Sequence, residues 1–502
     1  MSPNDQALIR IALLSALALV VFIRCRPALH GKIARSTKAL LCLTFLGSLW
    51  SFPNFGRFHY PHYDYVHYWD AYHYYLGSKY LPEVGYSGLY QASLLAGGEL
   101  GCLPEITHLR DLDNYQPLPV TKINQNEIRS KFSPARWLDF KADFSLFCGA
   151  INQWPMLFLD HGYNETPFRA ALTSRLFNAV TLNSLNLRLL SFLDYGLILI
   201  AAALTAWAFG LDAALLGVSF LLLNFLARFN FIGGSLLRWD WICALLAALA
   251  FYKKGFPKVS GALLAYSCAA RVFPLLFIFP CFLKLAFFKG GADSDRQLRQ
   301  SLSSFAVATL AFMLAARASF APTILEDYLQ RMQGHSSHSF VNQIGLQSTL
   351  RFSMADWERD QYGQVYIEQK EIERVSSYDT ISKAAGLILS ILAMLMAAML
   401  TPLSGMLLSA SAVYWLLMPS GYYYSFLALY FLLPGQGQNS NLVSCISQIF
   451  LCITMICGYL FELQGQEALV IHYKIGLQLG IFFMLQMVLQ AANRVELKTA
   501  NA

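Results

Sequence analysis

The chain of 502 residues is 56% hydrophobic and only 13% charged, with a mean hydropathy of +0.44. That is too apolar and too charge-poor for a soluble globular protein, so the composition points to a polytopic membrane protein. The net charge of +7 resides mostly in short loops beside apolar runs, where Lys and Arg act as topology signals, and no nucleic-acid partner is inferred.

A helix rises 1.5 Å per residue, so about 20 apolar residues cross the hydrocarbon core. Such runs lie near 7–23, 39–55, 190–209, 211–228, 233–252, 301–320, 380–400, 402–418, 420–434, 441–461 and 469–491. The first lacks a small-residue cleavage site and is followed by basic residues, so it reads as a retained helix and not a signal peptide. Arg24, Arg26, Lys32, Arg35 and Lys38 form the densest short basic loop, which the positive-inside rule assigns to the cytoplasm. Propagated along the chain, that choice puts Gly56–Leu189 and Thr323–Asp379 outside, and Lys253, Lys254, Lys258 and the Arg494–Lys498 tail inside. Val259–Phe288, with Arg271 and Pro274 at its middle, lies between two basic loops and fits a re-entrant pair of short helices.

The expected organisation is residues 1–55 as two transmembrane helices, 56–189 as an extracytoplasmic catalytic loop and 190–320 as helices with a hairpin near 259–288. Residues 321–379 form a second extracytoplasmic loop and 380–502 the C-terminal helices. The first loop is too long to be a mere connector and has helix-like stretches near 68–80, 134–150 and 168–182. There is no internal repeat, no inverted symmetry of broken helices and no P-loop. Of the ten cysteines, Cys25, Cys42, Cys243, Cys268, Cys281, Cys445, Cys452 and Cys457 lie in or beside apolar runs, where Cys behaves as a small hydrophobe. Cys102 and Cys148 share the first loop and are candidates for a disulfide.

Chemistry-bearing residues concentrate just after the second span, in "HYDYVHYWDAYHYYLGSKYLPEVGYSGLY". Asp64 and Asp70 fall near the membrane surface, where a lipid-linked substrate presents its polar head. If 64–70 were helical, the six-residue step would turn about 600° and aim the carboxylates to different sides. A carboxylate there can take the proton of an attacking hydroxyl; the alternative is that both cap helices or pair with nearby His and Lys.

The run from Asp64 to Ala71 resembles the Asp-Tyr-x-Val-Phe-x-Asp-Ala signature in the first lumenal loop of the mannosyltransferase that starts the glycan of GPI anchors, continued loosely by Gly77, Tyr80, Tyr90 and Leu94-Leu95. That family opens the motif with Asp-x-Asp; His62 replaces the first Asp here, which leaves metal dependence open and Asp64 the stronger candidate. The large first loop, the hairpin at Arg271 and "NQIGLQSTLRF" from Asn342 to Phe352 are similar to bacterial polyprenol-phosphate-mannose-dependent mannosyltransferases. Both families have the C-type glycosyltransferase fold. The overall pattern spans most of the chain, the matching motifs about a tenth of it. The resemblance implies inverting sugar transfer from a polyprenyl-phosphate donor, with a loop carboxylate as general base and no nucleotide sugar.

Charges at the edge of a bilayer need reasons, and Arg238, Asp240, Arg271, Asp194 and Arg228 are such charges. Arg238 or Arg271 can hold a lipid phosphate through paired hydrogen bonds; Arg238 paired with Asp240 or Asp194 is the structural alternative. His335 and His338 have a metal-compatible spacing, but nothing completes a ligand set. Tyr422, Tyr423 and Tyr424 suit either a sugar or isoprenoid pocket or an interfacial belt.

The expectation is therefore an all-α polytopic membrane protein, a C-type glycosyltransferase-like bundle of about 11 spans plus one re-entrant hairpin. It would move a sugar, mannose first, from a polyprenyl-phosphate carrier to a lipid, glycan or protein acceptor, at the outer face of a bacterial inner membrane. Asp64 and Asp70 are the candidate catalytic residues, and His62, Arg238, Asp240, Arg271, Asn342, Gln343 and Tyr423 the candidate substrate-binding ones; no metal ligand or cofactor is assigned. Two other classes stay open: a transporter or flippase using Asp194, Arg238 and Asp240, and a scaffold whose loop binds a partner.

Overall fold

The computed structural model describes residues 1–59, 64–288, 291–337, 341–354, 357–359, 365–367, 369–432 and 438–500. Among them, six helices are long and apolar enough to cross a membrane: Pro3–Arg24, Ser184–Phe209, Ala292–Ser319, Asp379–Ala398, Leu442–Leu463 and Ala468–Ala492. Leu211–Leu223 and Phe225–Ile232, bent by 63°, make a seventh if they count as one span. The chain is an all-α, multi-pass membrane protein, with two short antiparallel ribbons, His108–Arg110 on Pro117–Pro119 and Trp357–Arg359 on Val365–Ile367.

Local chemistry sets the ends of these helices. Pro3 occupies the first helical position, where a missing N–H costs nothing, and Ser2 and Asp5 exchange capping hydrogen bonds. Arg10, buried in that helix, donates to Ser51 O and Asn54 Oδ1, both at 2.7 Å, and so pins the start of the 56–189 segment to the bundle. At the opposite end Arg24 pairs with Asp212 at 2.5 Å.

The uniform spans expected at 211–228, 233–252, 402–418 and 420–434 are instead interrupted. Leu211–Leu223 breaks at Asn224, Asp240–Lys253 follows an irregular approach, Pro402–Ser409 and Ser411–Leu416 are separate, and Gly421–Phe431 is a 3₁₀ coil. Protein surrounds these legs, which is why the backbone can break. Asn224 accepts from Leu226 N–H at 3.0 Å and donates to Tyr424 O at 3.3 Å, and Phe220, Leu223, Phe225, Phe426 and Leu427 are buried around it. Backbone groups satisfied by protein do not need a continuous lipid-spanning helix.

Residues 259–288 turn at Arg271–Pro274 between helices Pro257–Ala270 and Leu275–Phe287. The first limb packs on Asp240–Lys253 and Ala292–Ser319, the second on Pro402–Ser409 and Gln369–Ala398. The limbs are thus splayed into the bundle, and their apex reaches the 56–189 unit.

That unit has its own aromatic core, including Tyr72, Tyr80, Tyr90, Trp137, Phe144 and Trp154. Each such ring contributes about 1.5–3 kcal/mol by burial. The expected helical stretches appear as a helix over 68–79, Pro134–Cys148 and Pro167–Asn178. Cys102 and Cys148 are bridged, with Cα atoms 5.9 Å apart, tying Leu89–Leu100 to Pro134–Cys148.

Candidate functional site

Between the 56–189 unit and the bundle lies a cavity of about 2920 Å³. Its floor is set by a close backbone crossing. Gly234 has φ +68, and a Cβ there would overlap the carbonyl oxygen of Tyr65, so only glycine allows 65–67 to lie on 233–238. His67 N–H then donates to Gly234 O at 3.0 Å. Leu237 also takes a left-handed φ, +53, with its carbonyl held by Arg169. These two turns aim Arg238 into the cavity.

Asp64 and Asp70 both line this cavity, and the helical geometry on which the different-sides expectation depended is not met. The reason is local: the helix begins only at Tyr68, with His67 as its N-cap, so Asp64 lies before it and the helical angle does not apply. Tyr68 OH donates to Asp64 Oδ2 at 2.8 Å and Arg188 Nη2 pairs with the same oxygen at 3.1 Å. Burial pushes the Asp64 carboxyl up, but Arg188 and Tyr68 outweigh it and leave it below the ordinary carboxylate range. Asp70 accepts from Ser235 Oγ at 3.0 Å and lies 3.2 Å from Arg238 Nε. Burial again raises this carboxyl, and Arg238, then His67 and His73, bring it below its usual value. Both carboxylates are ionised at neutral pH.

Past Asp70 the helix passes through a π-helical turn, Tyr72–Leu76. His73 is held there between Trp69 O at 2.9 Å and Tyr90 OH at 2.8 Å, and burial keeps its ring neutral by lowering its pKa. Tyr74 accepts from Arg238 Nη1.

Arg238 and Arg271 converge on shared rings. Their guanidinium carbons lie 4.4 Å and 6.0 Å from the Tyr74 centroid. Arg238 also lies 4.8 Å from Tyr422, and Arg271 5.6 Å from Tyr423. The Tyr422 and Tyr423 rings are themselves 4.6 Å apart. Both arginines are buried, at 6% and 8% exposure; Arg238 Nε faces Asp70, while Arg271 Nε and Nη2 make no hydrogen bond among the described residues. Both residues line the cavity, and the unused guanidinium N–H groups of Arg271 are donors that suit an anion.

Asp240 stands apart. It does not line the cavity; its carboxylate pairs with Arg169 Nε at 2.6 Å and accepts from Tyr266 OH at 2.8 Å. Its partner is thus Arg169 of the loop unit, not Arg238. Arg169 continues to Glu165, which pairs with Arg271 Nη1 at 2.8 Å. Asp194 accepts the backbone N–H of Arg238 and Trp239, at 2.9 Å and 3.1 Å. Asp194 and Asp240, the carboxylates a transporter reading would use, are therefore engaged in holding the Arg238 segment.

Asn342 and Gln343 line the cavity where 342–344 crosses 419–421: Gly421 N–H donates to Asn342 O at 2.7 Å, and Gln343 bridges Ser420. Arg351, farther along the same motif, pairs with Asp379 at 2.9 Å. Tyr423 lies in the wall against Phe273, 5.3 Å between centroids. His335 sits at the rim, its Nδ1 3.0 Å from Tyr115 OH; Arg228 pairs with Glu462. His62 and His338 lie outside the described residues. Among the described residues no cluster of His, Cys, Asp or Glu has metal-binding geometry.

The sequence reading missed Arg188, Asp160, Glu165 and Arg169. The last three fall in "DHGYNETPFR", 160–169, a polar run between amphipathic stretches that is the one signal available for them. No protein-family model, curated protein or solved structure matches the chain, so its chemistry has to be read from its own residues.

Proposed function

We propose that this chain is a membrane glycosyltransferase of the C-type architecture, moving a sugar from a polyprenyl-phosphate carrier, with mannose the first sugar to test. The observation that carries the reading is the pair of buried guanidiniums that line the same cavity as Asp64: Arg271, with two nitrogens that make no hydrogen bond among the described residues, and Arg238 beside Asp70. A phosphate monoester or diester satisfies those donors. The adjoining wall of Val272, Leu275, Leu276, Leu417 and Met418 offers an isoprenoid an apolar path. The cavity is also about three times the upper size of an ordinary single-ligand pocket, which suits a donor and an acceptor bound together.

In the reaction Asp64 accepts the proton of the acceptor hydroxyl as its oxygen bonds to the anomeric carbon. The bond from that carbon to the phosphate oxygen breaks, with inversion, and polyprenyl phosphate leaves with its charge held by Arg238 and Arg271. Asp70, bound to Arg238, is a positioning residue. The basic stretches Arg24–Lys38 and Lys253–Lys258 lie at the ends of helices whose other ends, Pro3 and Asp240, are on the cavity side, which by the positive-inside rule supports an extracytoplasmic cavity, in a bacterial plasma membrane on this reading.

The test is binding of polyprenyl phosphate against the uncharged polyprenol, measured on the full chain in nanodiscs. Phosphate should be preferred by about 10-fold or more, and Arg271→Gln should abolish that preference. Equal binding of the two lipids by the wild-type protein would overturn the assignment.

A further inference from the structure

One cavity wall has a chemistry that donor binding does not use. Asp160 lines it, and its Oδ2 accepts from Trp69 Nε1 at 2.6 Å. Among the described residues its Oδ1 accepts no hydrogen bond, and His161 Nε2 lies 4.0 Å from it. Asp160 is fixed from behind as well, because Gly162 N–H donates to Tyr90 OH at 2.9 Å, and Tyr90 in turn meets His73. Beside it the Tyr115 and His161 rings stack at 5.9 Å, and Trp69 presents its indole to the cavity. A carboxylate is an acceptor only and repels phosphate, so Asp160 suits a hydroxyl donor and not an anion, even with Arg110 lining the same wall. An oriented carboxylate oxygen next to aromatic faces fits a ligand with several O–H donors and an apolar ring face.

We infer that the Asp160 wall is the acceptor subsite and that the acceptor presents a sugar ring, with Asp160 Oδ1 taking hydrogen bonds from its hydroxyls and Trp69 lying against its face. This rests on the glycosyl-transfer reading, which leaves the acceptor class open. Trp69 is the residue before Asp70 in the helical turn whose Tyr68 holds Asp64, and Asp160, Trp69 and Asp64 line the same cavity.

The test is saturation-transfer NMR on the full-length protein in nanodiscs, with the methyl glycosides of mannose, glucose, galactose and N-acetylglucosamine as probes and a Ser/Thr peptide and inorganic phosphate as controls. At least one glycoside should bind. Asp160→Asn should weaken it by roughly 10-fold or more, the scale of a lost charge-assisted hydrogen bond. Absence of binding by every glycoside, or unchanged affinity in Asp160→Asn, would overturn the inference. If Asp160→Asn fails to fold, Trp69→Phe decides: the ring remains but the indole no longer orients Asp160, and affinity should fall about threefold or more, with no change counting against the subsite. Glycoside binding without phosphate-lipid preference would sink the donor reading alone; phosphate-lipid preference without glycoside binding would sink this one alone.

Discussion

Glu165→Gln isolates the ion network that carries Arg271 to the cavity. Glu165 is 1% exposed and lies between Arg169 and Arg271, while Arg169 also pairs with Asp240. The four charges sum to zero, and the variant leaves a net +1 in a buried site. At an effective dielectric constant of ~20, charges about 4 Å apart interact by about 4 kcal/mol, and removing one member of a buried pair costs about 3–5 kcal/mol. The expected loss of stability is therefore about 3–5 kcal/mol. Restoring neutrality with Glu165→Gln plus Arg271→Gln should cost less than the sum of the singles by at least about 1 kcal/mol. Unfolding in mixed micelles, titrated with an ionic denaturing detergent at fixed total amphiphile, reads both quantities. A loss below about 1 kcal/mol for the single variant, or additivity within about 0.5 kcal/mol, would refute the network as a buried charge balance.

Asp64→Asn should leave lipid-phosphate binding intact and lower turnover by about 10²-fold or more, with Asp70→Asn costing less; normal turnover in folded Asp64→Asn would refute Asp64 as the base and move the search to Asp70. Burial, followed by neighbouring His67, holds His59 down at about 3 against 6.5, with its Nε2 at 2.7 Å from Gly233 O. The stability from keeping that ring neutral is full above pH 6.5 and is lost as pH falls from 6.5 toward 3. His59→Asn should flatten this limb of the stability-against-pH curve, and an unchanged slope would contradict it. Arg35, exposed near the start of the helix Pro27–Ser51, should be reachable as Arg35→Cys by an impermeant thiol reagent only from the cytoplasmic side; labelling from outside would reverse the topology.

The parts of the fold legible in the sequence are those governed by a local rule. Long apolar runs gave Pro3–Arg24, Ser184–Phe209 and Ala468–Ala492, because a lipid-facing helix has to satisfy its backbone within itself. Pro274, three residues after Arg271, marked the apex of 259–288, because proline lacks the N–H that would continue a preceding helix and is well placed where a new one begins. The broken legs at Asn224 and 233–239 were not legible: their apolar residues face protein, and composition does not distinguish protein from lipid. Site residues divide the same way. Asp64, Asp70, Arg238 and Arg271 stood out as charges beside apolar sequence, and the fold gathers them at one cavity. Their partners did not stand out, since Arg188 is 124 residues from Asp64, Glu165 is 106 from Arg271 and Asp160 is 91 from Trp69. Asp240 was expected to bind substrate, with a pair to Arg238 as the alternative, but the left-handed turn at Leu237 sends Arg238 to Asp70 and leaves Asp240 to Arg169.

The central claim is that the cavity transfers a sugar from a lipid phosphate. Its most direct measurement is reconstitution of the purified full chain in liposomes with a panel of radiolabelled polyprenyl-phosphate sugars, together with a membrane lipid and glycan extract as acceptor source, following label that leaves the carrier. The account predicts transfer from at least one carrier, mannose first, reduced by about 10²-fold or more in Asp64→Asn. Label that stays on every carrier in the panel, with the protein folded and inserted, would contradict it.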